Sequence, residues 1–483
     1  MNKPVRHLAV AVLVLFALLL VNVNYVQVID AEDLRNNPDN TRTLQDSYSR
    51  PRGQIVAGDQ AIASSRATDD ARKYRRVYRN GPLYAPATGY YTLYSATGIE
   101  RAEDSMLSGD DDRLFVRRVA DLLQGREQRG ASVALTLNAK AQRAAYQALK
   151  GHTGAAVAID PKTGAILAMA TSPSYDPNDL SGHNDRQVSR EYRKLAGDDR
   201  QPLLNRGLSA RYPPGSTFKL VTAAAALSSG DYEPSSKISS PTTYRLPGTG
   251  SATMRNFGGE VCGNGREQSL EDALTISCNT AFGKLAVDLG DDAMREQAEK
   301  FGFGQTFEVP MVCAKSVYPD SPDAAETALT GIGQFDVAAT PLQMAMVSGA
   351  IANRGVTMQP YLVSEIKAPD LKQIQRADPQ EYDRAVSPQV ADQMTQMMKS
   401  VVAQGTGTQA QLPDTEVAGK TGTAQHAKNQ PPHAWFTGFA PADNPEVAVA
   451  VIVEDGGDLG SEATGGAVAA PIARDVMRAV INQ

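Results

Sequence analysis

Tyr212-Pro213-Pro214-Gly215-Ser216-Thr217-Phe218-Lys219 runs directly into the apolar stretch 220–227. Two prolines and a glycine cannot continue a helix, but they can end a loop and deliver Ser216 to the first turn of one. Unpaired backbone N–H groups and the positive dipole end collect there, so Ser216 sits where an anion can be stabilised. The Ala-rich stretch 218–227 has helical propensity, and a spacing of three puts the Lys219 amine on the face of the Ser216 hydroxyl. A serine is a poor nucleophile without a neighbouring base. A buried lysine whose pKa is lowered by desolvation can supply that base.

Ser-x-x-Lys is weak alone: Ser364-Glu365-Ile366-Lys367 also matches. That copy lies in an alternating, strand-like stretch where residues three apart face opposite sides, so it cannot make the pair. Lys-Thr-Gly also occurs twice. Lys162-Thr163-Gly164 falls in a hairpin turn, between strands expected at 155–159 and 165–170. Lys420-Thr421-Gly422 is flanked by small residues that let a substrate backbone lie close, and a strand follows at Trp435. Ser277-Cys278-Asn279 is the only Ser-x-Asn, on a helix expected to open at Ser269-Leu270-Glu271-Asp272 and run to about Leu289.

Outward from these motifs, the chain beyond Val133 is apolar, Gly-punctuated and regular. A short helix is expected at 141–149, strands at 435–440 and 447–453, and a final helix at 466–481. Strands at both ends with helices between them indicate an α+β fold whose sheet is completed by its C-terminal segment. Residues 30–128 are polar, Arg-rich and poor in apolar periodicity, which reads as an extended module without a compact core. Two short strands surround Gly58-Asp59. Arg72, Lys73, Arg75, Arg76 and Arg79, with the tyrosines that follow, read as a solvated face. Binding of glycan, lipid phosphate or a partner is the other reading.

At the N-terminus, Lys3 and Arg6 precede an apolar run from Leu8 that continues to Ile29, long enough to cross a hydrocarbon core of about 30 Å. Positive charge before the span keeps the short tail cytoplasmic and sends the rest outside. A cleaved signal peptide is the alternative, but no small-x-small site follows Val21 directly. Cys262, Cys278 and Cys313 allow three single pairings. Cys262 with Cys278 share a Gly-rich connection; three unpaired core thiols are the other reading. A net charge of −6 argues against nucleic acid as a partner of the whole chain.

The order Ser216/Lys219, Ser277/Asn279, Lys420/Thr421/Gly422 is that of penicillin-binding proteins and serine β-lactamases. The chain resembles a class B, monofunctional penicillin-binding protein. Its Cys-containing Ser-x-Asn is most similar to the actinobacterial penicillin-binding protein A subfamily. Further matches are Arg52-Gly53-x-Ile55, Gly98-Ile99-Glu100, Asp176-Pro177-Asn178, Asn205-Arg206, Gly331-Ile332-Gly333-Gln334 and Thr340-Pro341. The resemblance implies a cytoplasmic tail at 1–7, a single-pass anchor at 8–29, a dimerisation or pedestal domain at 30–130 and a transpeptidase domain at 131–483. The last would be a D,D-peptidase-like antiparallel sheet with helices on both faces. About 100 residues ahead of the catalytic domain leave no room for a glycosyltransferase, so a partner must polymerise glycan, alongside division or elongation proteins.

The implied reaction is acyl transfer from the D-alanyl-D-alanine end of a peptidoglycan stem peptide to a neighbouring stem, outside the bacterial cell membrane. Lys219 would take the Ser216 proton, and the backbone N–H groups of Ser216 and Thr423 would hold the oxyanion. Lys420 would help keep Lys219 neutral and attract the carboxylate that Thr421 and Thr423 bind. Ser277 would relay a proton to the leaving D-alanine, and Asn279 would bind the substrate amide. A β-lactam would be trapped as an ester on Ser216. This chemistry calls for no metal and no cofactor.

Rival readings are weaker. A β-lactamase needs a deacylating base, and the Glu-x-x-Leu-Asn pattern that would hint at one is missing. A D,D-carboxypeptidase differs only in passing the acyl group to water, and a penicillin-binding scaffold of the division machinery can coexist with catalysis. No Gly-x-Ser-x-Gly elbow occurs, and a P-loop around Lys420 would need a glycine where Asp414 stands.

Overall fold

The computed structural model describes residues 3–28, 48–426 and 430–482; Ile29 and residues 30–47 of the expected pedestal lie outside the described residues. Lys3–Val28 forms one helix, of which Lys3–Val26 is long and apolar enough to cross a membrane.

The catalytic region is built on a five-stranded antiparallel sheet. Its order is Ala418–Ala424, His433–Ala440, Val447–Val453, Gly154–Ile159 and Ile166–Ser172. The C-terminal hairpin thus closes onto the first hairpin, as the sequence indicated. All six residues of Gly154–Ile159 are buried because alternate side chains enter opposite layers. Ala155, Val157 and Ile159 join the core formed with Pro341–Ala352 and Lys219–Ser229. Ala156 and Ala158 meet Ala139–Ala148 and Ala469–Ile481 on the other face. Helices on both faces explain why these strands read as unbroken apolar runs rather than alternating ones.

The helix expected from Ser269 to Leu289 is two helices, Leu270–Thr275 and Asn279–Leu289. Ser277 breaks it, with a left-handed backbone at φ 62°. Ser-Cys-Asn therefore lies on a turn and the start of the second helix.

The pedestal also departs from expectation, because it has a buried core. A six-stranded sheet runs Gln373–Arg376, Val363–Lys367, Ser132–Leu135, Ile55–Ala57, Gln60–Ala67 and Tyr74–Tyr78. Ile55, Ile62, Ile99 and Leu107 are buried against it. Ser132–Leu135 lies where the sequence texture changes, and Val363–Lys367 and Gln373–Arg376 come from far beyond it, so the sheet draws strands from both sides of that change. Arg76, expected on a solvated face, is buried. Its Nε meets Glu100 Oε1 at 2.6 Å, while Arg52 Nε meets Glu100 Oε2 at 2.7 Å.

Candidate active site

Ser216 lies on a short 3-10 turn, Gly215–Phe218, that feeds the Lys219–Ser229 helix. Gly215 takes φ 53°, and a Cβ there would lie 2.9 Å from both Thr423 O and Ala424 Cβ, so the turn is pressed against the Ala418–Ala424 strand. Gly333 backs the turn from behind: Gly215 N donates to Gly333 O at 2.9 Å, and a Cβ on Gly333 would meet Gly215 O at 2.2 Å. Ser216 is half-buried, and among the described residues its hydroxyl makes no hydrogen bond.

Lys219 is fully buried. Its Nζ donates to Ser277 O at 2.7 Å and Asn279 Oδ1 at 2.8 Å, and lies 3.2 Å from Ser277 Oγ. Lys420, equally buried, reaches Ser277 Oγ at 2.8 Å and Thr421 O at 2.9 Å. Burial pushes the Lys219 amine well below its ordinary value, and the neighbouring Lys420 pushes it further down. Burial brings Lys420 itself down to about 7. The fold thus joins Lys219, Ser277, Asn279 and Lys420 in one hydrogen-bonded group. Lys219, expected on the face of the Ser216 hydroxyl, makes its hydrogen bonds to Ser277 and Asn279.

Lys420, Thr421, Gly422 and Thr423 lie on Ala418–Ala424, an edge strand whose outer side carries no partner strand among the described residues. A Cβ on Gly422 would lie 3.0 Å from Pro214 O and Thr217 Cγ2, a tight approach, so glycine lets this strand lie close to the Ser216 turn. Thr421 Oγ1 pairs with Thr406 Oγ1 at 2.5 Å, while half-buried Thr423 Oγ1 accepts the Gly465 N–H at 3.4 Å. The decoys separate cleanly. Ser364 Oγ donates to Ala134 O at 3.0 Å in the pedestal sheet, Lys367 pairs with Glu365, and Lys162 Nζ donates to Asn444 Oδ1 at 2.8 Å.

Two supports hold the site: the Asn256 cap carries no local sequence signal, whereas the Cys262–Cys278 pairing was among the readings of the sequence. Asn256 Oδ1 accepts the N–H groups of Asn279 at 3.0 Å and Thr280 at 3.1 Å, capping the second helix from 23 residues away. The Cys262–Cys278 disulfide, Cα–Cα 6.1 Å, ties a second point of the same turn. On the other side of the nucleophile, Tyr212 Oη and Arg206 Nε each donate to Glu454 Oε1 at 2.6 Å. Trp435 Nε1 donates to Pro213 O at 3.0 Å.

His426, His433 and Asp455 are the one group among the described residues whose ligating atoms gather within 4.8 Å. The two imidazoles stack at 3.9 Å with their planes 4° apart, so their in-plane lone pairs run side by side rather than meeting at one point. As arranged, they do not form a metal centre.

Residues 154–478 match the penicillin binding protein transpeptidase domain, and residues 52–133 the penicillin binding protein A dimerisation domain. The chain is 47% identical to the peptidoglycan D,D-transpeptidase PbpA of Mycolicibacterium smegmatis, over the whole of both chains. It is 46% identical to that of Mycobacterium tuberculosis, over 100% of this chain and 99% of the other. The penicillin G acyl-enzyme structure of penicillin-binding protein A from M. tuberculosis superposes with a TM-score of 0.86. It covers 90% of this chain and all of that one, at 46% identity. The chain belongs to the class B penicillin-binding proteins, in the PbpA subfamily.

Proposed function

We infer that this chain is a peptidoglycan D,D-transpeptidase that cross-links stem peptides through an acyl-serine intermediate and is inhibited by β-lactams. It serves cell-wall synthesis in division and shape maintenance. The observation that carries the reading is the convergence of two buried lysine amines on Ser277 Oγ, beside the turn that presents Ser216.

A neutral Lys219 amine has two hydrogens, and Ser277 O and Asn279 Oδ1 take both, so its lone pair is left for a hydroxyl proton. Ser216 gives up that proton as its Oγ attacks the penultimate D-alanine carbonyl. The oxyanion is held by the N–H groups of Ser216 and Thr423. The C–N bond then breaks, and Ser277 passes a proton to the departing D-alanine. An amine of a second stem peptide attacks the ester and releases Ser216. Lys420 supplies positive charge for the substrate carboxylate, with Thr421 and Thr423 as its hydrogen-bond donors. Gly422 keeps the strand close enough for substrate to add along its open edge, and Asn279 binds the stem-peptide amide.

The proposed domains are the tail at 1–7, the anchor at 8–29, the pedestal at 30–130 and the transpeptidase domain at 131–483. The last lends strands to the pedestal sheet. The chain crosses the cell membrane once with its catalytic domain outside, and works with a separate glycosyltransferase and with division or elongation proteins. Intact-mass spectrometry with benzylpenicillin tests the chemistry. One stable adduct is expected in the native chain and in Ser364→Ala, and none in Ser216→Ala. An adduct that persists in Ser216→Ala refutes the assignment.

A further inference from the structure

Phe115–Leu123 is a helix whose apolar face points away from its own domain. Phe115, Val116, Val119, Leu122 and Leu123 follow the spacing of a single helical face, and all are exposed, Val116 at 80% and Leu123 at 82%. The polar face is the one bound to the protein. Arg118 donates to the carbonyls of Gly109 and Asp111 at 2.9 Å, Arg117 pairs with Asp370 at 2.6 Å, and Asp121 is buried. Leu371, next in sequence to Asp370, is a further exposed apolar residue near this helix. It is 76% exposed on a backbone at φ 68°, where a leucine is strained and makes no compensating contact with a core.

An inverted helix of this kind needs a cover, and the chain's connectivity indicates which. Arg50 donates to Gln128 Oε1 at 3.0 Å and shares a surface hollow with Phe115, Val119 and Leu122. The apolar face therefore lies where the chain enters the pedestal. Residues 29–47 alone separate that entry from the apolar helix Lys3–Val28, a tether of at most about 65 Å even when fully extended. In sequence the tether is mainly polar, with Asp30, Glu32, Asp33, Asp39 and Asp46 among asparagines and arginines and only Ile29, Leu34 and Leu44 as large apolar residues. A bilayer held within that reach presents apolar surface at high effective concentration.

We propose that the Phe115–Leu123 face, with Leu371, docks on the surface of the phospholipid bilayer in which Lys3–Val26 is anchored. The docked helix lies in the interface with its apolar side in the acyl boundary and its arginines toward the protein and headgroups. Docking fixes the tilt and height of the pedestal, and hence where the Ser216 cleft meets the wall. The proposal rests on the reading that Lys3–Val26 spans the membrane.

The test uses the full chain in phosphatidylglycerol–phosphatidylcholine vesicles, with a fluorophore on Leu123→Cys, Val14→Cys or Lys150→Cys and nitroxide lipids as quencher. Cys313 does not compete for label, because it is buried and its thiol is pushed up to about 12. Labels at 14 and 123 are expected to lose most of their emission, while the label at 150 keeps its own. Adding Leu122→Glu is expected to restore emission at 123 without disturbing the fold, because the side chain is exposed. Quenching at 14 with none at 123 overturns the docking and leaves the anchor standing; no quenching at 14 overturns the anchor and the docking with it. A label at 123 shielded from both nitroxide lipid and aqueous iodide overturns the proposal in favour of a protein covering the face.

Discussion

Lys420 Nζ donates to Ser277 Oγ at 2.8 Å, and that same oxygen lies 3.2 Å from Lys219 Nζ. Two buried amines that converge on one hydroxyl cannot both keep full positive charge at modest cost. The neutral role falls to Lys219, which burial and then the neighbouring Lys420 push well below the ordinary value, and the titrating role to Lys420, which burial brings down to about 7.

The first prediction is a bell-shaped pH profile for second-order acylation by benzylpenicillin. The acid limb follows deprotonation of Lys219, and the alkaline limb begins near 7, as Lys420 loses the charge that pairs with the drug carboxylate. A bound carboxylate favours the protonated lysine, so at saturating drug the alkaline limb moves to higher pH. Lys420→Met removes a repelling charge, so Lys219 becomes harder to deprotonate and the acid limb also moves to higher pH. Rapid-mixing acylation kinetics across pH check the profile and both movements; an unmoved acid limb in Lys420→Met would refute the coupling.

A second prediction concerns Asn256, which never touches the reacting atoms. Asn256→Ala removes the cap of the Asn279–Leu289 helix and frees the turn that holds Ser277 at positive φ. The loss of stability is expected to be about 1 kcal/mol. Acylation is expected to slow by about 10–100-fold, because Ser277 and Asn279 move relative to Lys219. Asn256→Asp keeps an acceptor at the helix N-terminus and is expected to recover most of the rate. Cys262→Ser loosens the second tether of the same turn and is expected to act in the same direction. Paired melting curves and acylation rates separate positioning from general destabilisation.

These supports mark the border of what the sequence revealed. The placement of Ser216 and Lys219 on one turn-and-helix segment, and of Lys420 with its glycine on one strand, was legible because spacing within one element is fixed by its geometry. The choice of Lys420 over Lys162 was legible too, since a turn and a strand have different neighbours. The bend at Ser277 was not: helical propensity runs through 270–289, and only tertiary partners impose the left-handed residue there. Glu454 lies 242 residues from Tyr212, and no local pattern links them. The pedestal core was hidden because its sheet gathers strands of three to eight residues from three distant stretches, none long enough to show a period.

The third prediction follows from Glu454, which holds the segment just before the nucleophile. Tyr212→Phe deletes one hydrogen bond to the carboxylate but keeps the ring between His433 and Trp435, whose centroids lie 5.5 and 6.1 Å away. Stability is expected to fall by about 1–2 kcal/mol, with acylation slowed and drug dissociation constants little changed. Glu454→Ala goes further, since it strands the buried Arg206 guanidinium, and is expected to cost about 3 kcal/mol. Glu454→Gln, which retains an acceptor, should fall between them. Separate measurement of drug binding and the acylation step shows whether the lost rate lies in the chemical step.

The fourth prediction is an acid weakness in the pedestal. Burial alone would raise the Glu100 carboxyl, but Arg76 and then Arg52 override it and hold it below its ordinary value of 4.5. A carboxyl with a folded pKa below its unfolded one binds fewer protons when folded, so its stabilisation is present above about 4.5 and lost as pH falls through the folded value. Acid therefore removes the carboxylate that buried Arg76 meets and one of the two that buried Arg52 meets, the other being Asp104 at 2.7 Å. Glu100→Gln mimics that state at neutral pH and is expected to cost about 3–5 kcal/mol, while flattening the acid dependence. Hydrogen exchange of the Tyr74–Tyr78 strand reads the pedestal separately from the catalytic sheet. Its protection should fall in acid for the native chain, start low in Glu100→Gln, and leave the Val447–Val453 strand unchanged in both; equal acid sensitivity of the two proteins would assign the effect to another carboxylate.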